Sequence, residues 1–197
     1  MSSIGLDTVS DVSNIVSTIK SKGYEFVVRY YSKSGNAKRM STAESEAIFN
    51  AGLKRVVVYQ NLHNDYSKFG STIATTDATD AISQAKAHGQ PSSTIYFAVD
   101  YDASSTEIEG NIKEHFKVLQ KNCSLAGYAI GVYGSTLVCK KLKEAGLVSK
   151  TWVANASGWG YGTQFSDYKM KQSSQVSFGG ITFDKNTAND ISYIGAW

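Results

Sequence analysis

Apolar positions along the chain switch between two spacings, every second residue and every third or fourth, and the switches come in regular order. A short strand, SIGLD (3–7), leads into SDVSNIVSTIKSKG (10–23), where Val12, Ile15, Val16 and Ile19 fall on one helical face before Gly23. EFVVRYY (25–31) reads as the second strand. STAESEAIFNAG (41–52) reads as the second helix, with Ser41 and Glu44 as a capping box and Gly52 as terminator. KRVVVYQ (54–60) is the third strand, and a polar loop over 61–75 precedes a helix expected at about 77–88, stopped by HGQP. TIYFAVD (94–100) is followed by a helix over about 105–122 opened by Ser104 and Glu107, then by strand GYAIGVY (127–133) and helix STLVCKKLKEAG (135–146).

Beyond 150 the helical spacing stops. KTWVAN (150–155), YKMKQ (168–172) and GITFD (180–184) read as strands, and the segments between them are rich in Gly and Ser. About eight strands and five helices over 197 residues predict an α/β, single-domain TIM-like barrel spanning 1–197. Its last three strands lack intervening helices. A doubly wound open sheet is the rival, but GLDTVSD after the first strand is not a Gly-rich phosphate turn.

Strand alternation then assigns faces. In strand four Ile95, Phe97 and Val99 form the outward set, leaving Tyr96, Ala98, Asp100 and Asp102 inward. The same test puts Gly5 and Asp7 inward on strand one, Thr182 and Asp184 on strand eight, Ala129, Gly131 and Tyr133 on strand five, and Arg29 and Tyr31 on strand two. Asp7, Asp100, Asp102 and Asp184 are therefore expected to converge at the C-terminal mouth. Like charges gathered in a cleft raise the pKa of one member, and a protonated acid beside an ionised carboxylate is what glycosidic cleavage requires. Tyr133 and Trp152, at strand ends, are expected to line the site, Gln172 to hydrogen-bond substrate, and Trp159 in SGWGYG to sit at the rim.

Taken singly, these residues have plainer roles. Asp7 suits an N-cap, Asp102 a helix-entry charge, Asp184 an Asx turn, and Arg29 an ion-pair partner for one of the acids. His63 falls in the loop after strand three, where it is able to reach the mouth but more often faces solvent. His88 and His115 fall on helices and are expected at the surface. Asp-Tyr-Asp also suits a divalent-metal transferase or an aspartyl phosphatase. The first needs a nucleotide-binding sheet and a further ligand, and the second needs its motif on the first strand.

Composition narrows the partners. The twelve Tyr and three Trp suit flat or carbohydrate ligands. A net charge of +3, scattered but for AKR (37–39) and CKKLKE (139–144), provides no nucleic-acid stripe but favours an anionic polymer such as a cell wall. Cys123 and Cys139 lack metal-ligand spacing and are expected as buried thiols. No run approaches the ~20 apolar residues of a membrane span. The opening MSSIGLDTVSD has no signal-peptide pattern, so reaching a wall is expected to need export machinery, phage-style lysis or a removed presequence.

GLDTVS, YFAVDYD, GVYGS, TWVAN, YKMKQ and ITFDKN together resemble, in order, the landmarks of the family 25 glycoside hydrolases. These are muramidases that cut the β-1,4 bond between N-acetylmuramic acid and N-acetylglucosamine. The chain is closer still to a sister family of glycoside-hydrolase-like domains, which also carries RYY and YFAVDYDA. The resemblance implies the same barrel, no cofactor and a peptidoglycan substrate, and the chain is expected to be a monomer. It puts Asp102 at the general-acid position, with Asp7, Asp100 and Asp184 at the other acidic positions. The muramidases have Asp-x-Glu where this chain has Asp-Tyr-Asp, which retracts the carboxyl by about 1.5 Å, one C–C bond. A barrel that binds glycan without cutting it is the alternative the same residues allow.

Overall fold

The computed structural model describes residues 2–197. Strands β1 (Ser3–Asp7), β2 (Phe26–Tyr31), β3 (Lys54–Tyr59), β4 (Thr94–Ala98), β5 (Ala129–Gly134), β6 (Lys150–Val153), β7 (Met170–Phe178) and β8 (Ile181–Ala188) pair in sequence order and close into a barrel. Helices α1 (Val16–Ser21), α2 (Thr42–Asn50), α3 (Ser71–Ala87), α4 (105–125, with a π turn over Ile108–Ile112) and α5 (Thr136–Glu144) pack outside the first six strands. Strands β1 to β7 run parallel, each to the next, whereas β8 is antiparallel to both β7 and β1. That reversal comes from a two-residue turn, Gly179–Gly180, with φ of 60° and 76°. Two successive positive φ angles match the twist of a tight hairpin, which glycine adopts at little cost.

Two apolar layers result. Between strands and helices lie residues such as Leu6, Val27, Val57, Ile95, Phe97 and Val132. The lumen holds Phe26, Val28, Val56, Val58, Tyr96, Trp152, Met170 and Ile194. Glycines make room for the large lumen rings. A Cβ on Gly5 would lie 2.3 Å from the Phe26 ring, and one on Gly131 would lie 2.6 Å from Tyr96. The C-terminal segment plugs the lower end, where Trp197 and Arg55 exchange both backbone hydrogen bonds (2.9 and 3.1 Å). The lumen opens to a cavity at its other end, the mouth at the C-terminal ends of the parallel strands.

Three sequence expectations change. Strand β2 faces the other way: Phe26, Val28 and Tyr30 point to the lumen, and Arg29 and Tyr31 point outward. Helix α3 begins at Ser71, six residues early, because its buried face is Ala74, Asp77, Ala78, Ala81, Gln84 and Ala85, a set with no hydrophobic period to detect. The Ser41–Glu44 capping box is half-formed. Ser41 Oγ accepts from the Glu44 N–H, but the Glu44 carboxylate turns inward to Arg29 instead of back to the helix end. Among the described residues no helix is long and apolar enough to cross a membrane, and both cysteines are buried free thiols.

Candidate active site

The lumen opens at its upper end into a cavity of about 190 Å³ lined by Asp7, Tyr30, Gln60, Asp100, Tyr133 and Asp184, with Trp152 and Gln172 in its wall. Asp7 ends β1 and lies directly opposite Asp184 of β8 in the antiparallel register. Its carboxylate is 2% exposed. It accepts from Gln172 Nε2 at 3.1 and 3.3 Å and from Asn186 Nδ2 at 2.6 Å.

Both amides are locked with their donors toward Asp7. Gln172 Oε1 accepts from the Tyr133 hydroxyl (3.2 Å) and the Asn155 N–H (3.1 Å), and Asn186 Oδ1 accepts from Trp152 Nε1 (2.8 Å). Flipping either amide would place donor against donor. Burial nonetheless outweighs these bonds. Desolvation lifts the Asp7 pKa to about 7; the two amides pull it down, and the charges of Asp184 and Asp100 add to the rise. Desolvation thus favours the protonated form of Asp7 up to near neutrality.

Asp100 Oδ2 accepts from Gln60 Nε2 at 2.7 Å, and Gln60 Oε1 in turn accepts from Lys38 Nζ at 3.0 Å. Lys38 also lies 5.2 Å from the centroid of the Tyr30 ring, a cation–π contact at the lip of the pocket. Burial pushes its ammonium pKa down, with Asp100 opposing.

Asp102 does not line this cavity. Its Oδ1 accepts from the Gly160 N–H at 2.8 Å, tying the β4 exit to the loop after β6. Trp159, beside it, lines a neighbouring groove of about 480 Å³ with Asn155, Thr136 and Lys171. The Asn155 N–H bonded to Gln172 joins the groove to the acid pocket.

Arg29 and Tyr31 sit behind the barrel wall. Arg29, 1% exposed, pairs with Glu44 (Nε–Oε1 2.6 Å) and donates to the Thr8 carbonyl. Tyr31 donates to Gln90 Oε1 at 2.9 Å and stacks on His88. Alternation puts Arg29 on the inner face, but its counter-charge waits on α2. The aromatic that does reach the pocket from β2 is Tyr30. In FVVRYY every position is bulky, so alternation leaves no signal there. Asn186 was within reach of the sequence, two residues after Asp184 and so on the same face. Gln60 and Lys38 carried no such mark. His63 and His115, expected at the surface, are 2% and 1% exposed.

Known proteins resemble this chain in sequence or in fold. YbfG of Bacillus subtilis (strain 168) is 37% identical over 156 residues, covering 71% of this chain and 21% of its own, so the chain spans about a fifth of that relative. The Mycobacterium tuberculosis Tat-secreted protein Rv2525c, solved with L-tartrate, superposes with a TM-score of 0.83 at 21% identity, covering 100% of this chain and 98% of that one. The modular autolysin LytC of Streptococcus pneumoniae, solved with a synthetic peptidoglycan ligand, superposes at 0.66 with 17% identity, covering 94% of this chain and 46% of LytC. With the family model matching residues 17–188, the chain belongs to the Rv2525c-like, glycoside hydrolase-like domain family.

Proposed function

We propose that this chain is a glycan hydrolase that cuts the β-1,4 bond between N-acetylmuramic acid and N-acetylglucosamine in bacterial peptidoglycan. The observation that carries the reading is Asp7, a buried carboxyl with its pKa raised to about 7 beside Asp100 and Asp184. Asp7 gives its proton to the leaving oxygen as the bond to the anomeric carbon breaks, and Asp100 and Asp184 steady the oxocarbenium-like centre. A water they position bonds to that carbon and returns its proton to the carboxylates. Tyr30 and Tyr133 bound the sugar, and the Trp159 groove takes the next residues of the polymer. The LytC complex with a peptidoglycan ligand supports the substrate class. The site of action is the cell wall, and the protein works as a monomer without a cofactor.

Asp102, the acid that the family resemblance implies, acts in this scheme only after releasing Gly160. That contact favours a second reading, a barrel that holds glycan and does not cut it. Purified peptidoglycan is digested with wild type, Asp7→Asn and Asp102→Asn, with and without chelator, and the fragments are analysed by mass. New muramic-acid reducing ends that vanish in Asp7→Asn support the proposal. Loss in Asp102→Asn alone returns the acid role to Asp102. Binding without fragments in wild type selects the glycan-holding barrel.

A further inference from the structure

A second group of chemistry-bearing side chains lies outside the barrel wall, between the loop after β3 and helices α3 and α4. His63 Nε2 is 2.9 Å from Asp77 Oδ2, and His115 Nε2 is 3.5 Å from the same oxygen. One ligand atom from each residue falls within 4.8 Å of the others, and all three residues are buried. The chain has three histidines, and two of them aim a ring nitrogen at one carboxylate oxygen.

A hydrogen-bonded lock accounts for only half of this. The His63–Asp77 contact is an ordinary hydrogen bond. The His115–Asp77 separation is longer than such bonds usually are, yet the two groups converge with nothing apolar between them. His115 Nδ1 lies 3.2 Å from the Gly70 carbonyl and 3.4 Å from the Gly70 N–H. His115 Nδ1 is placed either to donate to this carbonyl, the shorter contact, or to accept from the N–H. In the first tautomer Nε2 turns a lone pair to the Asp77 carboxylate, and a cation between these two acceptors would hold that tautomer. A backbone carbonyl on one ring nitrogen is also how proteins present the other to a metal.

Bonds of about 2.0–2.2 Å in tetrahedral geometry set neighbouring ligand atoms about 3.3–3.6 Å apart. His115 and Asp77 already stand at that spacing (3.5 Å), and the His63–Asp77 pair at 2.9 Å would open by about half an ångström to admit the ion. Phe69 packs its ring 5.3 Å from His63 and 5.2 Å from His115, forming the apolar shell. On the open side a cavity of about 240 Å³, lined by His63 and Asp77 with Asn61, Thr72, Lys33 and Lys68, offers an entry path and room for water as a further ligand.

We propose that His63, Asp77 and His115 bind a divalent first-row transition-metal ion of the zinc type, with one position open to this cavity. Two imidazoles and one carboxylate suit zinc better than magnesium or calcium, which take oxygen ligands. The site is distinct from the acid pocket and does not depend on the hydrolase reading. It still touches that pocket through the backbone, because the Asp100 N–H donates to the His63 carbonyl at 2.8 Å. Metal here would fix the loop that holds Asp100.

Untagged, chelator-stripped protein is titrated with Zn²⁺ by calorimetry and with Co²⁺ by visible absorption, and Zn²⁺-soaked crystals are measured at the zinc edge. One equivalent, intense low-symmetry Co²⁺ bands and an anomalous peak among the three side chains are expected. Asp77→Asn and His115→Gln should each weaken binding at least ~100-fold, beyond the ~10–100-fold typical of losing an outer-shell partner, and His88→Gln should not change it. No saturable binding by wild type, a peak in the Asp7–Asp100–Asp184 pocket instead, or full affinity in folded His115→Gln would each overturn the proposal. If the variants fail to fold, the position of the wild-type peak decides alone.

Discussion

Replacing Asp7 by Asn should make the protein more stable at alkaline pH and slightly less stable at acid pH. The unfolded carboxyl titrates near 3.8 and the folded one near 7. Between those values the folded chain keeps a proton that the unfolded chain has lost, so the proton favours folding. That contribution is complete below 3.8 and gone once the pH has risen through 7. A span of about 3 pH units at about 1.4 kcal/mol each gives about 4 kcal/mol of stability that wild type loses and Asp7→Asn keeps. Asparagine has its own cost. Its amide meets the donors of Gln172 and Asn186, which cannot turn because Tyr133, Asn155 and Trp152 hold their oxygens. That cost, about 1–2 kcal/mol, is independent of pH and moves the curve without changing its slope. For a chain of this size 1 kcal/mol is worth about 2–4 °C, so the Tm of Asp7→Asn minus that of wild type should grow by about 10 °C from pH 4 to pH 8. Urea titrations at pH 4, 6 and 8 and constant ionic strength give the same difference as free energies. A difference that stays flat across this range, or shrinks as pH rises, would refute the placement of a neutral Asp7 beneath the site.

Further outcomes follow from the packing around the pocket. Arg29→Met leaves Glu44 buried without its partner and should cost about 3–5 kcal/mol in chemical denaturation, while the folded fraction keeps its activity. Tyr30→Ala should weaken glycan binding about 10-fold, the worth of one aromatic contact, as read by retention on insoluble peptidoglycan. Tyr31→Phe should leave retention unchanged and cost about 1 kcal/mol for the lost bond to Gln90. Gly5→Ala drives a methyl into the fully buried Phe26 ring and should cost about 1–3 kcal/mol in thermal melts, relieved by adding Phe26→Leu.

The barrel was legible because its strands and helices each bury one kind of face. Alternation in IYFAVD separates Ile95, Phe97 and Val99 from Tyr96, Ala98 and Asp100, and the structure keeps that division. It failed on β2, where both faces are apolar or aromatic and alternation does not tell one face from the other. The pairing of Gly5 with Phe26 carries the missing information, since partners in register share a face and only glycine leaves room for that ring. The start of α3 was hidden for a related reason. Its inner face is alanine with Asp77 and Gln84, whose burial depends on partners distant in sequence: His63 and His115 for the first, the Ser32 N–H for the second.

The same distinction separates the acids. Period two places Asp100 and Asp102 on one side of a strand, but β4 ends at Ala98, and beyond it the backbone follows the loop. The Asp100 N–H turns to His63, and Asp102 reaches across to Gly160. A carboxylate at a loop tip is solvated and held by whatever N–H comes near, whereas one inside the last turn of a strand is desolvated by its neighbours. Asp7 is still in β1, opposite Asp184 and over the Trp152–Asn186 pair, and burial acts there first. The sequence motif that draws attention, Asp-Tyr-Asp, therefore marks the mouth of the pocket. Proton affinity is set three strands earlier, by a residue whose local sequence suggests no more than a helix cap.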